Sequence, residues 1–130
     1  MKIIRGSTIP NVPASHEDPA DPGVLKKILL KKEDIPVGRI QMINWSTLLP
    51  RKTFQNHYHE AMDEIFILLD GSTSITIDGE TEILVQRDAV VVPSTKHHTM
   101  TNMGDTPVHY IAIGIVLGEG GKTVVVQNKS

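Results

Sequence analysis

The chain has 130 residues and a mass of 14.3 kDa, enough for one compact domain with a real core. Thirteen Lys and Arg stand against fifteen Asp and Glu, and the pI is near 6.3. This weakly acidic balance argues against nucleic-acid and polybasic membrane binding, and the lack of cysteine removes disulfides, thiolate metal sites and cysteine nucleophiles.

The first residues, Met1-Lys2-Ile3-Ile4-Arg5, lack the apolar core of a signal peptide, and no apolar run approaches the ~18 residues of a membrane span. The lack of cysteine reads as a cytoplasmic setting. Pro10, Pro13, Pro19 and Pro22 exclude a helix over 7–23, because each removes a donor and restricts the residue before it. Residues 1–23 read as an extended Pro-rich arm, either free or packed on its own domain or on a partner, and 24–130 as the folded domain.

From Val24 onward the pattern is β. Strands are expected at Val24–Leu30, Arg39–Leu48, Asp63–Leu69, Ser74–Ile77, Thr81–Val85, Ala89–Val92, His97–Asn102, Val108–Leu117 and Thr123–Gln127. A helical turn near Lys26–Asp34 is the competing reading of that stretch. Asp78-Gly79 between two alternating runs signals a tight hairpin, whose type I′ turn needs positive φ at both central residues. Many short strands with frequent turn signals indicate an all-β antiparallel sandwich or barrel.

Four of the six histidines fall in two groups. His57 and His59 point to the same side of a strand. A hairpin through Glu60-Ala61-Met62-Asp63 would return Glu64 beside them, and His98 would arrive from a third strand. Three imidazoles and one carboxylate suit one divalent transition metal (Mn, Fe, Co, Ni, Cu or Zn) rather than Ca or Mg. His-x-His alone reads first as a surface or turn pair. His97 should face away from His98. His109 is placed either toward the cavity or at a strand end, and His16, in the arm, is expected to be solvated.

The spacing around these residues resembles the cupin superfamily, in particular its small single-domain members of the Cupin_2 type. His57, His59, Glu64 and Gly71 match the last four positions of the first motif, G-x5-H-x-H-x4-E-x6-G. Pro93, His98 and Asn102 match the second, G-x5-P-x-G-x2-H-x3-N. Arg51, Arg87 and Thr95 stand at glycine positions of these motifs, so their turns are expected to use other φ/ψ values or another turn type. The resemblance spans about residues 40–117. It implies a double-stranded β-helix, a jelly-roll barrel of two antiparallel sheets, with His57, His59, Glu64 and His98 as metal ligands.

Phe66 and Leu68 share a face with Glu64 and would give the cavity an apolar wall, with Ile111 and Ile113 as further candidates. Arg51, Lys52, Arg87 and Lys96 are the cations nearest the motifs and candidates for holding a substrate anion. The favoured function is a metalloenzyme acting on a small polar organic molecule, carboxylate or sugar-like, at an open metal position. The alternatives are a small-ligand or metal-binding and sensing module, and a barrel that its metal merely braces. Small cupins commonly pair, and Ile65, Ile67 and Leu69 are apolar on the outward phase, so a homodimer or a covering arm is expected.

Overall fold

The computed structural model describes residues 2–35, 38–118 and 120–127. It contains β1 (Val12–Pro13), β2 (Val24–Lys31), β3 (Ile40–Leu48), β4 (His57–Glu60), β5 (Met62–Leu68) and β6 (Ser72–Ile77). These are followed by β7 (Glu80–Val85), β8 (Ala89–Val92), β9 (His98–Thr101), β10 (Val108–Val116) and β11 (Lys122–Val125). One sheet has the order β1-β2-β3-β10-β5-β8 and the other β11-β4-β9-β6-β7, with every pairing antiparallel. The architecture is the expected all-β jelly roll.

Alternation along the strands fills the space between the sheets. Leu48, Phe54, Phe66, Leu68, Ile75, Met100, Val108 and Tyr110 form the core. Burying such side chains is worth about 1.5–3 kcal/mol each, which is why the strand phases are strongly specified. In β10 the phase is strict: Val108, Tyr110, Ala112, Gly114 and Val116 are buried, while the residues between them are half-buried. Ile111 and Ile113 therefore face outward, which corrects their expected place in the cavity wall. Ile113 joins an apolar outer row that runs across five strands, Val91–Ile65–Ile113–Ile43–Leu30.

Several local expectations change. Strand pairing with β3 carries β2 through to Lys31, so only Lys32–Asp34 winds into a 3-10 turn. Asp78 and Gly79 have φ of 50° and 84°, the two positive values that a type I′ hairpin requires. No hairpin joins β4 to β5, because they belong to different sheets. The chain instead turns a corner at Ala61 (φ 55°) and crosses the sandwich, and Ala61 O accepts the Leu117 N–H at 2.8 Å.

Arg51, Arg87 and Thr95 keep the left-handed backbone of the glycines they replace, with φ of 63°, 78° and 71°. The expected change of turn type does not occur. Hydrogen bonds hold two of these turns: Arg87 N donates to Leu68 O at 2.8 Å and Thr95 N to His59 O at 2.7 Å. The side chains bear a strain of about 1 kcal/mol each, greatest in kind for β-branched Thr95.

The arm does not stand free. Val12 and Pro13 pair with Lys26 and Leu25 at the edge of the first sheet, and Ala14 is buried.

Candidate metal centre

β4 and β9 are short neighbours in the second sheet, and His57 lies in register with His98. His59 is on the same face of β4, since alternation puts Tyr58 between them on the other side. Glu64 comes from β5 in the opposite sheet, after the corner at Ala61. All four side chains are buried, and one ligand atom from each lies within 4.8 Å of the others.

The hydrogen bonds fix how the rings present themselves. His57 Nδ1–H donates to Gln55 O at 2.7 Å, and His98 Nδ1–H donates to Lys96 O at 3.0 Å. Both rings in their neutral form therefore direct a bare Nε2 lone pair inward. His98 Nε2 is fully buried and has no hydrogen-bond partner among the described residues, and it lies 3.6 Å from Glu64 Oε1. His59 contacts Thr123 Oγ1 through Nδ1 at 3.0 Å and Glu64 Oε1 through Nε2 at 3.1 Å.

Charge follows from the same surroundings. Burial, with His16 and His98 nearby, pushes His57 down to about 2, so the ring stays neutral. Burial alone would raise Glu64. The His59 hydrogen bond, with His98 close by, outweighs it and brings the carboxyl to about 2. A carboxylate facing three imidazoles, one with an unpartnered ring nitrogen, is a donor set that a divalent transition ion satisfies.

A cavity of about 350 Å³ opens beside the cluster, bordered by His59, Glu64, Phe66, Tyr110 and Ala112. Phe66 supplies the expected apolar wall, whereas Leu68 belongs to the core. On β3 the inward phase is Met42, Asn44 and Ser46, and Trp45 is on the outer face. Tyr110 is held protonated by burial and by the Glu64 charge, which push its pKa above the usual phenol range.

The arm contributes to this site. His16, expected in solvent, stacks on His57 with ring centroids 4.1 Å apart and borders the cavity. Its place is set by buried Glu17, whose carboxylate accepts from Gly23 N at 2.7 Å, Gln55 N at 2.9 Å and His16 Nδ1 at 2.8 Å. Burial would raise Glu17, but these bonds and the His16 charge hold it below its ordinary value. Gly23 leaves the necessary room, since a Cβ there would lie 2.8 Å from Glu17 Oε1.

Residues 44–114, more than half of the chain, match the family model Cupin_2, described as a cupin domain. The chain belongs to the cupin family.

A mannose-1-phosphate guanylyltransferase of Salmonella montevideo is 32% identical over 93 residues, covering 68% of this cupin and 19% of the longer protein. The cupin thus spans about a fifth of the length of that relative. Among solved structures, a predicted oxalate decarboxylase from Thermotoga maritima superposes with TM-score 0.78 at 25% identity, over 89% of this chain and 100% of the other. A cupin-superfamily sugar phosphate isomerase from Silicibacter pomeroyi gives 0.74 at 16% identity, over 98% and 83% of the two chains.

Other sequence candidates lie elsewhere in this cupin. His97 is exposed and stacks on Tyr58, with centroids 4.9 Å apart. His109 faces outward and bonds Asp70 through Nδ1 at 2.8 Å. Arg51 pairs with Asp105, Lys52 with Asp21 and Lys96 with Asp78, and neither these cations nor exposed Arg87 borders the metal-site cavity. The lysines that do border it are Lys26, Lys31 and Lys32, of which Lys26 lies on the inward phase of β2; sequence reasoning missed them. Adjacent Lys26 and Lys27 occupy opposite phases, so alternation could not say which faces inward.

Proposed function

We propose that this cupin is a metal-dependent enzyme acting on a small polar organic molecule, with one divalent transition metal held by His57, His59, Glu64 and His98. The observation that carries this reading is the buried, unpartnered Nε2 of His98, set beside a carboxylate and facing His57. Bound there, the metal supplies a Lewis acid at the edge of the cavity. The protein's own part is to hold the ring tautomers through Gln55 O and Lys96 O, and to keep water off one side with Phe66. Residues 1–23 act as an arm that closes on the 24–130 barrel and sets His16 against His57.

A binding or sensing module is the second reading. It is favoured by Tyr110, the phenol bordering the cavity, whose burial holds it protonated and so unavailable as a base. We also propose a homodimer through the outer face carrying Ile65, Ile113, Val91 and Trp45, of which Val91 and Trp45 are exposed. Such a continuous apolar row favours a cover. The Cys-free, weakly acidic composition supports a cytoplasmic setting.

The experiment is elemental analysis of protein purified without added metal or a metal-affinity column, beside the His57→Ala/His98→Ala double variant. The expected result is close to one divalent transition metal per chain, lost in the variant. A wild type that is metal-free and takes up none on titration refutes the metal reading.

A further inference from the structure

Lys26 is the unexplained charge of the cavity. It lies on the inward phase of β2 between Val24 and Ile28, and its register partner on β3 is Ser46, which in turn faces Tyr110 on β10. The neighbouring Lys27, on the outward phase, donates from Nζ to Gly6 O at 2.9 Å. Among the described residues no hydrogen bond or ion pair engages Lys26 Nζ. Lys26 is half-buried at the cavity wall, and this partial burial pulls its pKa below the ordinary value while Glu64 opposes the shift. Among the described residues no carboxylate forms an ion pair with it.

The rest of the cavity lining has the same bias. Lys31 and Lys32 border it with Lys26, against Glu33 and Glu64. Glu64 Oε1 is already bonded to His59 Nε2 at 3.1 Å. One register step from Lys26 and Ser46, Asn44 also borders the cavity. Asn44 Nδ2 donates to Met42 Sδ at 3.4 Å, and its Oδ1 has no partner among the described residues.

We infer that the cavity takes a small hydroxylated organic oxyanion, with its carboxylate or phosphate on Lys26 and a hydroxyl at Asn44. The opposite end would then lie toward the four-residue cluster. This deepens the metal reading and rests on it for the role of that far end, but the anion contact belongs to Lys26 alone. A lysine is a point charge and accepts either oxyanion, so the ligand series must separate them.

The test is calorimetric titration of zinc-loaded and of EDTA-treated protein with glycerate, glycerol 3-phosphate, propionate and glycerol. Wild type, Lys26→Met and Lys26→Arg are compared, with zinc content measured in each. We expect one of the hydroxylated anions to bind more tightly than propionate and glycerol. Lys26→Met should weaken it by about 10- to 100-fold, the worth of one charged hydrogen bond, and Lys26→Arg should restore most of the loss. Zinc content should stay the same in all three. Glycerate against glycerol 3-phosphate decides between carboxylate and phosphate.

Anion binding that is unchanged in Lys26→Met overturns the inference. So does a zinc-loaded wild type that binds neither hydroxylated anion, and that result leaves the metal reading intact. If the wild type takes up no zinc, the metal reading fails separately. The inference is then decided on the metal-free protein, where Lys26-dependent anion binding upholds it and its absence refutes it.

Discussion

Replacing Glu17 by alanine removes an acceptor that serves three donors on separate parts of the chain. The Gly23 N–H is buried, and stranding it costs about 1–3 kcal/mol. The Gln55 N–H lies in a more open segment where water replaces the carboxylate, so a net loss of about 1 kcal/mol is appropriate there. The sum is about 3 kcal/mol, a large share of the roughly 5–15 kcal/mol that stabilises a domain. In a domain of this size it lowers the thermal midpoint by about 10 °C. Urea unfolding of metal-free Glu17→Ala and wild type measures it directly, with Asp18→Ala as control, because Asp18 makes an exposed bond to Ala20 N. Glu17→Ala should also weaken metal uptake by roughly 10-fold or more, since Gln55 O orients His57. A loss under about 0.5 kcal/mol, equal to the control, refutes the claim that Glu17 fastens the arm.

Thr95→Gly should stabilise the fold by about 1 kcal/mol in urea unfolding, because Thr95 holds φ 71° and its N–H bond to His59 O survives the change; a destabilised variant shows that the turn is unstrained. Metal-free protein should lose stability as pH falls. The unfolded His57 takes up a proton below about 6.5, while the folded ring resists down to about 2. The folded form thus binds fewer protons, and the loss approaches 1.4 kcal/mol per pH unit from this group. Glu17, also lowered in the folded state, adds to the loss below the ordinary carboxylate range. Chemical unfolding midpoints at pH 7.5, 6 and 5 check this, and a midpoint that rises toward acid contradicts it. Sedimentation at micromolar concentration should give a dimer for wild type and a monomer for Ile113→Asp, and a monomeric wild type removes the proposed interface.

The strands were legible because their inward residues alternate without interruption, as in β10, and because Asp78-Gly79 allows few turns other than the one found. The four clustered side chains were legible through spacing: His57 and His59 two apart on one strand, with His98 following Pro93. What alternation cannot tell is which phase of an evenly apolar strand is inside. Ile111 and Ala112 both look buried in sequence, and the distinction came only when Ala112 was found opposite Phe66 and Ile111 opposite Trp45. The arm was illegible for a different reason. His16 is positioned by Glu17 through backbone groups 6 and 38 residues away, and a backbone donor leaves no mark in sequence. The glycine positions misled because the turn hydrogen bonds were strong enough to impose left-handed geometry on Arg87 and Thr95.

The corner at Ala61 divides the four-residue cluster unequally, three members on one sheet and the fourth on the other. An ion held by all four would act as a rivet between two leaves that otherwise meet through side-chain packing. Its binding energy would then resist separation of the leaves, and any swelling of the sandwich would eject it. Cargo retention becomes a gauge of compactness. At a free ion concentration about 100 times its dissociation constant, the rivet adds roughly 2.7 kcal/mol to the fold, so heat tolerance would track metal supply.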